Sequence, residues 1–181
     1  MGAKAAIMKT LVSLLSISLT LAIIQLQPIQ RVQAIEPVVA GPNFNQPELR
    51  KAFFDAARIY GKAGCGDMEL AEMTAQHALR TKLPANLIAS IVAVESACNP
   101  LAISSKGAVG LTQVNVKVQA EKFAQFRTIN LFNPEQSMQV GTDILADMIK
   151  DYGLRGGVSH YNGSGPDADA YAVKVLALAG K

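Results

Sequence analysis

Several residue types are scarce in this chain of 181 residues. It has no tryptophan, two cysteines and two histidines, and only 6% of its residues are aromatic. Two cysteines and two histidines are too few for both a structural and a catalytic zinc site, so we expect no metal and no cofactor. Only 17% of the residues are charged and half are apolar, which excludes a disordered, highly charged segment. The length corresponds to about one domain.

Acidic residues are missing from the first 34 positions, which carry three basic residues. A largely apolar run from Leu11 to Leu26 follows the basic start, and the segment ends with the small-residue pattern Val32-Gln33-Ala34. This order is typical of a secretory signal peptide, so residues 1–34 are predicted to be a cleaved leader and the protein to be periplasmic or exported. The alternative is that this segment stays uncleaved as a membrane anchor. If it is cleaved, the protein is expected to contact the membrane only during export.

Without that leader the charges balance, because residues 35–181 contain 14 basic and 14 acidic residues. The formal net charge of +3 therefore belongs to the leader. No basic run remains, so nucleic-acid binding is not expected. In an oxidising compartment Cys65 and Cys98 are predicted to form a disulfide, with two unpaired buried thiols as the alternative.

The rest of the chain divides into a short linker and one domain. Residues 35–45 contain two prolines and a glycine and are predicted to be the linker, followed by a domain over residues 46–181. Apolar residues in this domain recur at helical spacing, and Asp, Asn and Pro stand where helices begin. The predicted helices cover about 46–62, 67–82, 84–98, a segment starting at 133, and 167–178. Because no alternation supports a sizeable sheet, the fold is predicted to be mostly α, with a loop over 99–116.

Glu95 is an acidic residue on an apolar helix face. Ile88, Ile91 and Val92 precede it at helical spacing and Cys98 follows three positions later, so all share one side of the third predicted helix. Burial and the nearby helix C-terminus both disfavour the charged carboxylate, which predicts a raised pKa. A carboxylic acid that is protonated near neutral pH can act as a general acid. The alternative is a Glu that reaches solvent as its helix ends.

The segment that follows Glu95 contains no acid over residues 96–120 but many small polar residues and glycines. Hydroxyl and amide groups of this kind suit a neutral, hydroxyl-rich ligand such as a sugar. A phosphate would require more cations, and only Lys106 occurs before Lys117. The pattern therefore predicts a sugar-binding cleft beside a buried acid.

Three groups of residues form an ordered series along this region. They are Glu95-Ser96, Asn99-Pro100, Ala102, Ser104, Gly107-Ala108, Gly110-Leu111 and Gln113; then Asn133-Pro134-Glu135 and Gly141; then Tyr161-Asn162-Gly163. Their order and spacing resemble the soluble lytic transglycosylase-like (SLT) catalytic domain family of the lysozyme-like superfamily. The resemblance covers about residues 66–177.

The resemblance implies a lysozyme-like single domain with six to seven helices and little or no β structure. It implies a carbon–oxygen lyase that cleaves peptidoglycan between N-acetylmuramic acid and N-acetylglucosamine and leaves a 1,6-anhydro sugar. Glu95 would be the catalytic acid and base, Ser104 and Gln113 would contact the sugar or its acetamido group, Asn115 would line the cleft, and Tyr161 would lie beside the acid. The partners would be peptidoglycan glycan strands, with secretion, conjugation or phage machinery as possible further partners.

Two departures and two alternative functions accompany this resemblance. The family more often has Met at the position of Thr112, and Met-Pro at the positions of Asn115-Val116. These two differences bear on whether the sugar-binding subsites match those of the family. A hydrolysing muramidase on the same fold would need a second carboxylate, for which Glu121, Asp143 and Asp147 are the nearest candidates. The other alternative is a non-catalytic glycan-binding or scaffold subunit of a secretion or conjugation machine that crosses the wall.

Overall fold

Helices make up most of the computed structural model, which describes residues 45–117 and 129–181. The described elements are α1 (Pro47–Ala63), α2 (Met68–Thr81), α3 (Ala85–Ser96), β1 (Ala108–Val109), β2 (Val114–Asn115), α4 (Pro134–Asn162) and α5 (Pro166–Ala179). The predicted mostly α, lysozyme-like class is confirmed. Six to seven helices were expected for the whole chain, and residues 45–117 and 129–181 contain five. The predicted leader, and the predicted linker up to residue 44, lie outside the described residues.

Two helix starts follow from local sequence alone. The Asp67 carboxylate accepts a hydrogen bond of 2.8 Å from the Leu70 amide at the start of α2. The Asn133 side chain likewise accepts one of 3.0 Å from the Gln136 amide at the start of α4. Each cap satisfies an amide that has no partner inside its helix, so both predicted starts are confirmed.

Helix α3 is the centre of the domain, as its sequence predicts. Its residues Leu87, Ile88, Ile91 and Val92 are almost completely buried. Helices α1, α2 and α5 all pack against it. It ends at Ser96, two residues earlier than predicted, because the next two residues have left-handed backbone angles. That turn leads the chain directly from the acid-bearing end of α3 into the loop that follows.

A disulfide joins the ends of two of these helices. Cys65 follows α1 and Cys98 follows α3, and their Cα atoms lie 5.7 Å apart across 33 positions of sequence. The predicted pairing is therefore present. It fixes the chain three residues beyond Glu95 to the end of the neighbouring helix.

Helix α4 is anchored to α2 by a polar cluster. His77 is buried, its Nδ1 accepts a hydrogen bond from Arg80, and its Nε2 lies 3.0 Å from a Glu135 carboxylate oxygen. Because a guanidinium can only donate, the neutral ring carries its proton on Nε2 and donates it to Glu135. Arg80 also binds Asp143 further along α4. Burial, the largest effect, lowers the pKa of His77 despite the nearby Glu135.

The second part of α4 changes direction at Gly153. This residue has φ 70° and ψ 174°, which lie outside the helical region. The rings of Tyr152 and His160 stack across the break, with centroids 4.0 Å apart and planes 2° from parallel. The stack fixes the segment that carries Tyr161.

The loop predicted over residues 99–116 contains a short hairpin. Val109 pairs with Val114 and Ala108 with Asn115 in an antiparallel arrangement.

Within residues 45–117 and 129–181, no helix is long and apolar enough to cross a membrane.

Candidate active site

Glu95 lies in the last turn of α3 and is partly buried. Its Oε1 accepts a hydrogen bond of 2.6 Å from the Tyr171 hydroxyl, and its Oε2 has no hydrogen-bond partner among the described residues. Burial raises the pKa of Glu95, and this effect outweighs the hydrogen bond from Tyr171 and the positive charge of Lys174, which both lower it. The predicted direction of the pKa shift is confirmed. One oxygen is thus held in place, while the other can exchange a proton with a ligand.

Tyr171 is the functional residue that sequence reasoning missed. It comes from α5, and burial, followed by the charge of Glu95, raises its pKa well above the ordinary value. The phenol therefore stays protonated and can only donate to the carboxylate. A signal was available: Tyr171 lies at helical spacing with the buried residues Ala168, Ala172 and Val175, which places a polar hydroxyl on the inner face of a helix.

A cavity of about 380 Å³ opens beside Glu95. The predicted site residues Glu95, Ser104, Gln113, Asn115 and Tyr161 all line it. Its remaining lining residues are Lys106, Ala108, Val114, Ile144, Met148, His160, Asn162 and Gly163. The predicted site residues, which lie up to 66 positions apart in the sequence, are thus brought together around one acid.

Gln113 fixes the loop that forms one wall of this cavity. Its backbone has a left-handed φ of 49°, and its side-chain amide donates to the carbonyls of Ala102, at 3.1 Å, and Gly110, at 3.0 Å. Both amide protons are therefore used within the loop. Its side-chain oxygen has no donor in the part of the chain that the structure describes, so it can accept a hydrogen bond from a ligand.

Ser104 and Asn115 shape the hairpin at the mouth of the cavity. The Ser104 hydroxyl oxygen accepts a hydrogen bond of 2.9 Å from the Ala108 amide. The Asn115 side-chain amide donates to the Lys106 carbonyl at 2.9 Å, and its oxygen accepts from the Lys117 amide at 3.1 Å. These bonds position both side chains, and the Ser104 hydroxyl retains a proton that it can donate.

Tyr161 lines the cavity, but its hydroxyl does not bind the acid. It donates a hydrogen bond of 2.8 Å to the Thr112 carbonyl. Burial raises the pKa of Tyr161, and the charge of Glu95 raises it further, so the two residues lie near each other. The structure therefore assigns the hydroxyl of Tyr161 to holding the loop and the hydroxyl of Tyr171 to the acid.

Two glycines allow the loop to lie against α4 and the turn that precedes it. A Cβ on Gly110 would come within 2.1 Å of the Leu131 carbonyl oxygen, and one on Gly141 within 2.4 Å of the Thr112 side chain. The Thr112 hydroxyl in turn donates to the Ser137 carbonyl at 2.9 Å. Thr112, where the family more often has Met, is thus a buried hydrogen-bonding residue behind the cavity wall.

A family model described as "Transglycosylase SLT domain" matches residues 72–173, which is more than half of the chain. The chain belongs to the transglycosylase SLT domain family. No curated protein and no solved structure matches it. The matched range of the SLT domain contains Glu95, the other predicted cavity residues and Tyr171. Membership implies a transglycosylase-type function that acts on peptidoglycan glycan strands.

Within residues 45–117 and 129–181, no carboxylate other than Glu95 lines this cavity. Asp143 binds Arg80 of α2, and Asp147 is exposed; neither lines the cavity. Glu121 lies outside the described residues. A larger cavity of about 520 Å³ lies between α1 and α2, where the Asp55 carboxylate pairs with Lys51.

Proposed function

We propose that this SLT domain is a lytic transglycosylase that cleaves the β-1,4 bond between N-acetylmuramic acid and N-acetylglucosamine and leaves a 1,6-anhydromuramic end. One observation carries the proposal. Glu95 has a raised pKa, and one of its oxygens is held by Tyr171 while the other has no hydrogen-bond partner among the described residues; it lies beside a cavity whose lining includes several polar side chains. A single acid in this setting can first donate and then accept a proton.

The first step is protonation of the bridging oxygen. Because burial raises the pKa of Glu95, the side chain retains its proton to higher pH than an exposed Glu. It transfers this proton to the oxygen between the two sugars, and the bond from that oxygen to C1 of muramic acid breaks. The N-acetylglucosamine leaves with a hydroxyl group, and positive charge develops at C1.

The second step returns the proton. Glu95, now a carboxylate, accepts the proton of the C6 hydroxyl of the same muramic residue, and the C6 oxygen bonds to C1. Glu95 is again protonated, and no water is consumed. Tyr171 stabilises the carboxylate between the two steps, because a hydrogen bond to a charged acceptor is stronger than one to a neutral acceptor.

The sugars would be held by the polar groups that the loop leaves available. The Gln113 side-chain oxygen can accept from an acetamido N–H, and the Ser104 hydroxyl can donate to a sugar oxygen. Asn115 forms part of the same wall, and Tyr161 supplies an aromatic surface. We assign these four residues to substrate binding.

Hydrolysis by a muramidase is the second candidate, and it would need a base that activates water. Among the described residues that line the cavity, Glu95 is the one carboxylate. This favours attack by the C6 hydroxyl over attack by an activated water. A non-catalytic glycan-binding subunit, the remaining alternative, would have no use for a carboxyl group with a raised pKa.

Mass spectrometry of digested peptidoglycan tests the proposal. A lytic transglycosylase releases muropeptides that are lighter by one water than the hydrolysis products and have no reducing end. Products with reducing ends would replace the lyase with the hydrolase. Binding of glycan strands without any released product would support the scaffold function instead.

We further propose that the protein acts after export, as a periplasmic enzyme. The basic and apolar segment over residues 1–34 supports this proposal. The peptide bond after Ala34 is the expected cleavage site, so the exported protein should begin at Ile35. N-terminal sequencing of the exported fraction tests this, and a start at residue 1 in the membrane fraction would favour the anchor. The proposed substrate of the exported enzyme is the peptidoglycan glycan strand. Co-purification of the protein with components of secretion, conjugation or phage machinery would test these as partners.

A further inference from the structure

A lysine side chain lines the cavity on the hairpin side. Lys106 precedes β1, and its backbone carbonyl accepts the hydrogen bond from Asn115 that closes the turn. Its own side chain is exposed, and among residues 45–117 and 129–181 no carboxylate pairs with its ammonium group. The backbone of this lysine is therefore fixed while its charge remains available to a ligand.

A histidine lines the same cavity from α4. The Nδ1 atom of His160 lies 2.8 Å from the Gly156 carbonyl oxygen, which can only accept, so the neutral ring carries its proton on Nδ1. Its Nε2 is then an acceptor, and it has no partner in the described ranges. The stack on Tyr152 holds the ring in place. His160 thus presents a fixed acceptor to whatever fills the cavity.

Neither group is needed by the chemistry of Glu95. The proposed reaction uses one acid and a sugar hydroxyl, and a neutral sugar is bound by hydroxyl and amide groups such as those of Ser104 and Gln113. Among the described residues that line the cavity, Lys106 is the one lysine or arginine and Glu95 the one carboxyl group. While Glu95 is protonated, the cavity therefore carries a positive charge, which favours a ligand with a negative charge.

We propose that Lys106 and His160 form a subsite for the carboxylate-bearing substituent at C3 of the muramic residue. Lys106 pairs with the carboxylate, and His160 Nε2 accepts a hydrogen bond from a nearby N–H or O–H group of the substrate. This inference rests on the proposed function. The carboxylate has two possible sources: the stem peptide, or the lactyl group of strands from which the peptide has been removed.

Steady-state kinetics of Lys106→Gln on three substrates test the subsite. The substrates are strands that carry peptides, the same strands after an amidase has removed the peptides, and strands whose carboxylates have been converted to amides. On carboxylate-bearing strands KM should rise by about 3- to 10-fold with kcat unchanged, as expected for the loss of one charge-assisted contact. The increase should disappear on the amidated strands and shrink at high salt.

The first two substrates identify the source of the carboxylate. An increase in KM confined to peptide-bearing strands assigns the subsite to the stem peptide, and one confined to peptide-free strands assigns it to the lactyl group. Lys117→Gln is the matched control, because Lys117 is an exposed lysine near the same hairpin and does not line the cavity. It should leave KM unchanged on all three substrates.

The role of His160 is tested by His160→Phe. A phenyl ring preserves the stack on Tyr152 but removes both the Nε2 acceptor and the exposed hydrogen bond from Nδ1 to the Gly156 carbonyl. Loss of the acceptor should raise KM by about 2- to 5-fold, as for one hydrogen bond, while loss of the exposed bond to Gly156 should cost little stability. The melting temperature and kcat should stay close to those of the parent protein. A lower melting temperature with an unchanged KM would assign His160 to packing alone.

Binding to the Glu95→Gln protein separates this inference from the proposed function. Calorimetry with a soluble muropeptide and with its amidated form should show tighter binding of the carboxylate form, and Lys106→Gln should remove the difference. Equal affinities, or an equal effect of Lys106→Gln on all three substrates, would overturn the subsite. Products with reducing ends from the parent protein would overturn only the lyase proposal, because the binding result does not depend on turnover.

Discussion

The hydroxyl of Tyr171 donates a hydrogen bond of 2.6 Å to Oε1 of Glu95, from 76 positions further along the chain. Burial raises the pKa of Glu95, and this hydrogen bond opposes part of that increase because it favours the charged form. The balance suits a group that must be an acid in one step and a base in the next. Helix α5 therefore contributes directly to the candidate active site.

Glu95→Gln should abolish most of the activity. The amide keeps the shape of the side chain and can still accept from Tyr171, but it cannot transfer a proton. We expect a loss of about 10²- to 10⁴-fold in kcat or more, the usual magnitude for general acid–base catalysis. Release of soluble muropeptides from purified sacculi measures this, and activity close to that of the parent protein would refute the assignment.

The same variant should change how stability depends on pH. Burial raises the pKa of Glu95 in the folded protein above its ordinary value of 4.5, so the folded state holds this proton more tightly than the unfolded state. This contribution to stability is complete below pH 4.5 and is lost as the pH rises through the folded pKa. Melting temperatures across this range should show Glu95→Gln gaining stability relative to the parent as the pH rises. A pH-independent difference would contradict the raised pKa.

Tyr171→Phe should shift the pH profile. Without the hydroxyl, the pKa of Glu95 rises further, so the decrease of kcat/KM at high pH should occur at higher pH than in the parent. The carboxylate formed after proton donation also loses a donor, so maximal kcat should decrease by about 10- to 100-fold, given the strength of hydrogen bonds to charged groups. Rates on peptidoglycan between about pH 4 and 9 measure both effects, because this range includes the ordinary pKa of a Glu and the values above it.

Tyr161→Phe is the matched control for this experiment. Its hydroxyl binds the Thr112 carbonyl and not the acid, so its removal loosens the loop wall without removing a donor from Glu95. We expect the activity to decrease by about 2- to 10-fold, which corresponds to the loss of one neutral hydrogen bond. The protein should still fold, and the pH dependence of its activity should not shift. A shift equal to that of Tyr171→Phe would show that the two tyrosines do not have separate roles.

Gly141→Ala should weaken both the fold and the site. The added methyl group would come within 2.4 Å of the Thr112 side chain and push the cavity loop away from α4. The free energy of unfolding should decrease by about 1–3 kcal/mol, as for overpacking of a core. Gly61→Ala is the control: its Cβ meets nothing within 4 Å in α1, so it should stabilise by about 0.5–1 kcal/mol. Urea unfolding of both variants measures the difference, and equal effects would contradict the packing.

Reduction of the Cys65–Cys98 disulfide should destabilise the domain. The bond closes a loop across 33 positions, and the chain-entropy model gives about 3–4 kcal/mol for a loop of this length. Urea unfolding with and without reductant measures the loss. A Cys65→Ser/Cys98→Ser protein should unfold, with or without reductant, at the urea midpoint of the reduced parent protein. A parent midpoint that does not change with reductant would contradict the prediction.

The local features of this protein follow from its sequence. Helical periodicity alone places Glu95 on an apolar face near the end of a central helix, and the caps at Asp67 and Asn133 set two helix starts. These features depend on residues within one or two turns of one another. The spacing of the motifs likewise identifies the family and the residues that line the cavity. The disulfide was predictable from the cysteine count together with expected export.

Only the tertiary structure decided which side chains contact one another. Tyr161 lies near the acid, as expected, but its hydroxyl binds the Thr112 carbonyl, and Tyr171 supplies the donor to Glu95. Gln113 was expected to contact the sugar or its acetamido group, and that contact stays a prediction. The structure shows that both its amide protons are bound by loop carbonyls, so the contact would have to come from its side-chain oxygen. A hydrogen bond requires alignment within a few tenths of an ångström. Periodicity gives the face on which a residue lies, but the partner that it meets depends on how α3, α4 and α5 pack.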